Sequence, residues 1–305
     1  MFYDLNHEYG DLDLRVRRER LATAAGLGFD CVANARVVVG RLSSQQAYRC
    51  PPEAVSEQDA FESASPGIKR ALQMCQALGA QRRSIRQLTR ITLVTDDVQQ
   101  AQALTARNKA LEAYDIVSVQ PQNDAVFKQA CTTLDVDLIS VDISGRLPFQ
   151  WHQKAMRRAL ERGIHFEVCY AGLLQGGAAR RNAFANAKRL TQLTWGKGII
   201  VSSGAASGMA MRGPHDVINL STLLGLKQQQ AKEAISKRCS DVVRHGSQRQ
   251  ALKGSIRIET SPLPAMDIQL SVGSSQSGSE SGDGEKGVSS GEGQVQKRLR
   301  IEQKQ

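Results

Sequence analysis

Residues 196–226 read GKGIIVSSGAASGMAMRGPHDVINLSTLLGL. Ile199, Ile200 and Val201 make a short apolar β-run, and a Ser/Gly/Ala loop follows it. Arg212 and Gly213 then precede Pro214, whose fixed φ and missing N–H suit the first position of a helix. That helix carries Val217, Leu220 and Leu224 at three- and four-residue spacing, which makes one buried stripe. A strand, a small-residue loop, an arginine and a helix N-terminus, in that order, form an anion site. The free backbone N–H groups and the positive end of the helix dipole both point at the ligand. No P-loop, nucleophile elbow or Ser/His/Asp order accompanies it. The stretch reads as one that grips phosphate without cleaving it.

The same strand-then-helix unit recurs along the chain. Strand-like runs fall at 2–6, 29–38, 89–95, 115–119, 137–143, 165–170 and 198–202. Several are apolar on nearly every residue, as parallel strands are when both faces are covered. Helical patterns lie between them. Leu14, Leu21 and Ala25 line one helix that stops at Gly28. Trp151, Ala155, Met156, Ala159 and Leu160 line a second that closes at Gly163, and Ala183, Ala187 and Leu190 line a third. Ala231, Ala234, Ile235 and Cys239 form the stripe of a fourth, after which Gly246 and Ser247 suggest a turn. Repeated βα units mean a parallel sheet, and seven strands without a GxGxxG fingerprint favour a TIM-like (β/α) barrel over a dinucleotide fold.

The barrel domain is expected to span residues 1–260, with an irregular, Pro-containing excursion at about 41–84. Residues 261–305 are Ser/Gly/Glu/Gln-rich and read as a disordered tail that ends in the basic cluster Lys297-Arg298-Leu299-Arg300. The whole chain has 305 residues and a formal charge of +10. The tail holds five Lys/Arg against six Asp/Glu, which leaves 35 against 24 in the first 260 residues. The positive excess therefore belongs to the folded body and points to a polyanionic partner, nucleic acid first. Aromatic content of 5% argues against a stacking-rich single-strand binder.

Six cysteines lie far apart with no CxxC pair, which disfavours zinc ribbons and thioredoxin chemistry. Cys31 and Cys169 sit in apolar runs and read as small buried hydrophobes. No apolar run approaches the roughly 20 residues of a membrane span, and no signal-peptide pattern opens the chain. The expectation is a soluble, reduced, intracellular protein with no membrane partner.

Arg180 and Arg181 follow Gly176-Gly177 at the start of a helix. The dipole disfavours cations there by roughly 0.3–1 kcal/mol each, so an external anion would complete the site. The alternative is that both side chains simply reach into solvent. Arg212 holds the analogous place before the next helix, and barrel geometry puts all three on one face. His245 and Arg249 belong to a third basic cluster whose position spacing does not decide.

A metal-dependent phosphoesterase or nuclease on the same barrel is the rival reading. Asp4, Asp142 and Glu167 lie on or beside strands and could be ligands; acidic residues there also cap helices or pair with buried arginines. The five histidines (His7, His152, His165, His215 and His245) include no HxH or HxxxH pair. The sequence therefore points to no metal and no other cofactor.

Several segments together carry a family resemblance: FYDLN (2–6), IRQLTRITLV (85–94), LDVDLISVDISGRLPF (134–149) and RGIHFEVCY (162–170). ARRNAFANAKRL (179–190), GKGIIVSSGA (196–205), RGPHDVINLSTLLGL (212–226) and RHGSQR (244–249) complete the set. In order and content they resemble the roughly thirty-kilodalton protein subunit of nuclear ribonuclease P and ribonuclease MRP, a family with an archaeal counterpart. The resemblance implies a barrel of the polymerase-and-histidinol-phosphatase type that has lost its metal-binding histidines. The single His7, where those enzymes carry an HxH, agrees with that. It further implies a non-catalytic, RNA-binding subunit of a ribonucleoprotein whose RNA removes the 5′ leader from precursor tRNA.

The partners implied are the ribonuclease P RNA, the MRP RNA with its link to rRNA processing, and precursor tRNA within the complex. Other protein subunits are implied as well, including a small one of RNA-recognition-like fold. The implied location is the nucleus and nucleolus. Arg180, Arg181, Arg212, His245 and Arg249 fall on matched motifs, and the expectation is that they contact RNA phosphates or hold the loops that do.

Overall fold

Each strand divides its side chains between two environments, and that division shapes the molecule. The computed structural model describes residues 1–8, 13–42, 66–67, 69–70, 73, 85–105, 108 and 111–251. The chain divides into two units, Met1–Arg257 and Ile258–Gln305, and every described residue belongs to the first. The expected tail, its basic cluster and most of the 41–84 excursion lie outside the described residues.

The described elements run β1 (Tyr3–Glu8), α1 (Leu14–Leu27), β2 (Cys31–Val39), β3 (Arg86–Thr95), α2 (Val98–Ala101) and β4 (Ile116–Pro121). Next come α3 (Asp124–Thr132), β5 (Leu138–Val141), α4 (Gln153–Glu161), β6 (His165–Cys169), α5 (Ala171–Leu174) and α6 (Gly177–Thr194). Then follow β7 (Ile199–Ser202), a 3-10 turn at Gly208–Ala210, α7 (Pro214–Leu223), α8 (Gln228–Ala234) and α9 (Lys237–Gln250). The seven strands are parallel and lie in chain order, β1 through β7. All seven match the strands expected from the sequence.

Outward-facing Ile91, Leu93, Val117, Val119, Ile139, Val168, Ile199 and Val201 are buried under the helices in one large core. Their strand neighbours Leu88, Ile116, Leu138 and Ile200 face the barrel axis instead. There they meet Leu5 from β1 and Cys239 and Val242 from α9. The last helix therefore plugs the N-terminal mouth of the barrel.

No ladder joins β7 to β1 among the described residues. Side chains bridge the seam: Ser203 N–H donates to Asp4 Oδ1 at 2.9 Å, and Ser203 Oγ donates to Asn6 O at 3.2 Å. Below them Tyr3 N–H donates to Ile235 O at 2.9 Å. The result is a nearly closed TIM-like barrel.

Four local expectations are corrected. Leu14 is 47% exposed, because Arg20 takes a buried place and the covered arc of α1 runs through residues 20–24. Trp151 precedes α4, which begins at Gln153. The stripe from Ala231 to Cys239 spans two helices, α8 and α9; between them the carbonyl of Ile235 accepts the Tyr3 N–H. Gly246 and Ser247 make no turn and lie inside α9. A Cβ at Gly246 would run into the Asp115 carbonyl at the entrance to β4, so the missing side chain lets the helix seat there.

Among the described cysteines, Cys31 is the small buried hydrophobe expected from the sequence. Cys31, Cys131 and Cys239 are fully buried and free, and burial pushes the Cys31 and Cys131 thiols up to about 12. Cys169, only partly covered over the residue as a whole, accepts a hydrogen bond from Asn6 Nδ2 at 3.2 Å.

Candidate nucleic-acid interface

Inside the barrel the apolar floor gives way to one buried ion pair. Arg90 of β3 and Glu167 of β6 are both fully buried and meet through two bonds, Nη1–Oε1 at 2.5 Å and Nη2–Oε2 at 2.6 Å. The guanidinium also donates to Leu5 O at 2.7 Å, Thr92 Oγ1 at 3.1 Å and Ser118 Oγ at 3.2 Å. Ser140 and Ser202 face the carboxylate. One group can touch this many strands only from the axis. Burial alone would raise the Glu167 carboxyl, but the Arg90 charge and its hydrogen bonds outweigh burial and hold it below its ordinary value.

Glu167 is thus committed to an arginine. The other two acidic residues considered as metal ligands are also engaged. Asp4 Oδ1 takes the Ser203 N–H, and Asp142 Oδ1 takes the Ser144 N–H at 2.9 Å and its hydroxyl at 2.5 Å.

His7 is 3% exposed above Asp4, and its Nε2 and Asp4 Oδ2 have no hydrogen-bond partner among the described residues. The charged neighbour of both is Arg20, whose guanidinium reaches Glu8 O at 2.6 Å and also the Ala205 carbonyl. Burial first, and Arg20 second, push the His7 imidazole down to about 4. A permanent cation sits beside the donors that a metal would need. Among the described residues no three His, Cys, Asp or Glu side chains gather to hold an ion. The described residues do not fit the metal centre of the barrel enzymes.

The C-terminal ends of β5, β6 and β7 open onto loops that carry arginines. Pro214 starts α7 as the sequence predicts, with Gly213 as N-cap and no capping side chain. Before it, the backbone N–H of Arg212 donates to the buried Tyr170 hydroxyl at 3.0 Å, and Arg212 Nη1 donates to Met209 O and Met211 O at 2.9 and 2.8 Å. The remaining nitrogens of this half-buried guanidinium have no partner among the described residues.

The 18-residue α6 starts without a capping side chain or an acid in its first turn. Arg180 Nε donates to Leu173 O and Gln175 O at 3.0 and 2.9 Å, which fixes the α5–α6 turn and leaves both terminal nitrogens unused by described residues. Arg181 is exposed.

Asn186 Nδ2 donates to Ile143 O at 2.9 Å and Gly145 O at 3.0 Å, and Asn182 Nδ2 donates to Ser144 O at 3.3 Å. These bonds tie α6 to the loop after β5 and bring exposed Arg146 into the same sector, where it lines a cleft of about 100 Å³ with Gln120 and Gln122. Sequence reading passed over Arg146 because it is a lone arginine in a Gly/Pro loop. The amide pattern of Asn182 and Asn186, four residues apart and facing that loop, is the signal that could have found it.

His245 and Arg249 lie at the opposite end of the barrel. Both converge on Asp137, a fully buried carboxylate just before β5: His245 Nδ1 at 2.7 Å and Arg249 Nε at 3.1 Å. Asp137 Oδ2 also accepts the Val117 N–H at 2.8 Å. Arg249 spends its other donors on Tyr114 O at 3.0 Å and Leu111 O at 3.5 Å, and its side chain is 7% exposed. The structure therefore brings Arg180, Arg181 and Arg212 to one face and places His245 and Arg249 on the other.

Fold and surface define a TIM-like barrel whose axis is filled by an ion pair and whose β5–β7 loops present arginine. The family profile described as RNase P subunit p30 matches residues 1–251, and the chain belongs to that family. It is 34% identical over 264 residues to the mouse "Ribonuclease P protein subunit p30", covering 87% of this chain and 92% of that one. It is 36% identical over 248 residues to the Arabidopsis thaliana "Protein GAMETOPHYTE DEFECTIVE 1", covering 79% of this chain but only 42% of that protein. Among solved structures, a chain of an archaeal ribonuclease P with mature tRNA, seen by cryo-electron microscopy, aligns with a TM-score of 0.57 at 12% identity. That alignment covers 86% of this chain and all of the archaeal one, and it shows the shared fold.

Proposed function

We propose that this chain is an RNA-binding, non-catalytic subunit of ribonuclease P that supports removal of the 5′ leader from precursor tRNA by the RNA subunit. Membership of the p30 family supports the assignment to the enzyme. The observation that carries the binding role is the convergence of Arg146, Arg180, Arg181 and Arg212 from three successive βα loops on one face. Their donors fit the oxygens of an RNA backbone, and among the described residues Glu167, Asp142 and one oxygen of Asp4 are already engaged in internal hydrogen bonds.

His245 and Arg249 act on a different level: through Asp137 they hold the base of the barrel and so the loops above it. The partners in this reading are the ribonuclease P RNA, precursor tRNA and other protein subunits, a small RNA-recognition-like one among them. A second role in ribonuclease MRP, and a nuclear and nucleolar location, belong to the same reading.

The test is the salt dependence of binding to a ribonuclease P RNA transcript. Each arginine that neutralises a phosphate contributes about 0.7–0.9 to the slope of log K against log salt. Alanine at Arg181 is expected to flatten the slope by about that amount with the melting temperature unchanged. Unaltered slopes for Arg146→Ala, Arg180→Ala, Arg181→Ala and Arg212→Ala would contradict the phosphate role of this face.

A further inference from the structure

Trp195 is the one non-glycine residue with positive φ among the described residues, at 55°, and it is 78% exposed. It ends α6 in a left-handed conformation that glycine or asparagine ordinarily supplies. The backbone around it is held from several sides. Trp195 O accepts Gln230 Nε2 at 3.0 Å, Gly196 N–H donates to Thr191 O at 2.9 Å, and Gly196 O accepts Arg238 Nη1 at 2.6 Å. The strained knuckle is fixed, and a large indole stands on it in solvent. A strained residue held in place by its surroundings is a place to look for function.

Two exposed lysines neighbour Trp195 along the backbone. Gln230 Oε1 also accepts the Lys227 N–H at 3.1 Å, so one amide side chain ties Lys227 and Trp195 together. Lys197 follows two residues on, and both lysines are exposed. Protein–protein interfaces are depleted of lysine, whereas an exposed ring with lysines nearby suits a base and its phosphates. This site lies at the N-terminal end of the barrel, away from Arg180 and Arg181.

We propose that Trp195 is a stacking platform for an unpaired nucleobase of an RNA strand, with Lys197 and Lys227 taking the adjacent phosphates. The proposal rests on the RNA-binding reading above and adds a second contact to it, one that engages single strands. Low aromatic content limits base stacking to few places, and the exposed Trp195 offers one.

The full-length chain labelled with 5-fluorotryptophan gives two fluorine signals. Trp151, packed against Phe127 and Phe149, serves as the internal reference, and Trp195→Phe assigns the other. On titration with a short oligouridylate, the Trp195 signal is expected to shift saturably while the Trp151 signal holds. Trp195→Ala should weaken binding about tenfold, a typical loss for one stacked base, and Trp195→Phe should retain most of the affinity.

A silent Trp195 signal while a ribonuclease P RNA transcript still binds in an Arg181-dependent way overturns the stacking proposal alone. Failure of every RNA to bind overturns the RNA-binding reading with it. A Trp195 shift that follows protein concentration without RNA identifies a self-association contact and also overturns the proposal.

Discussion

Arg90 and Glu167 sit on the axis of a domain that could have been filled with leucine and valine. Removing one partner of such a pair leaves a buried charge uncompensated and costs about 3–5 kcal/mol, whereas replacing both by apolar groups of similar volume is often neutral. Arg90→Met and Glu167→Leu should therefore each lower unfolding stability by that order, and the double variant should recover most of the loss. Chemical denaturation of the three variants checks it; a double variant as unstable as the sum of the singles would mean the pair does not act as a unit. The pair was half legible. Glu167 could be read from sequence as a metal ligand or as the partner of a buried arginine, but nothing local in IRQLTRITLV says that Arg90 points inward. Only closing the sheet brings residues 77 positions apart within 2.5 Å.

At the scale of elements, the strands and most helix ends were readable because their signals are local: apolar runs, Pro214 at the start of α7, Gly28 and Gly163 after α1 and α4. What was missed depends on neighbours distant in sequence. Gly246-Ser247 resembles a turn, yet it lies inside α9 because the helix must press its backbone against the Asp115 carbonyl at β4. This contact decides the sign of a substitution. Helix propensity favours alanine over glycine by about 0.8–1.0 kcal/mol, while overpacking costs typically 1–3 kcal/mol. Because the obstacle is backbone, the second effect should win, and Gly246→Ala should lower the melting temperature by several degrees. A rise would show that α9 does not seat on the barrel mouth in this way. The same limit explains the five basic residues named from sequence. Spacing could group Arg180, Arg181 and Arg212 on a barrel face, but it could not reveal that His245 and Arg249 turn toward Asp137.

The whole molecule combines an axis closed by an ion pair, engaged carboxylates and arginines gathered over β5–β7. On the function proposed above, such a barrel would bind polyanion and leave the cutting to the RNA subunit. The measurement that tests this most directly is a pull-down of the tagged full-length chain from nuclear extract, with sequencing of the bound RNA and assay of the eluate on precursor tRNA. The account predicts recovery of a structured RNA together with 5′-leader cleavage that nuclease treatment of the eluate abolishes. Cleavage that survives nuclease and is lost on adding a chelator would place a metal-dependent catalytic centre in the protein and contradict it.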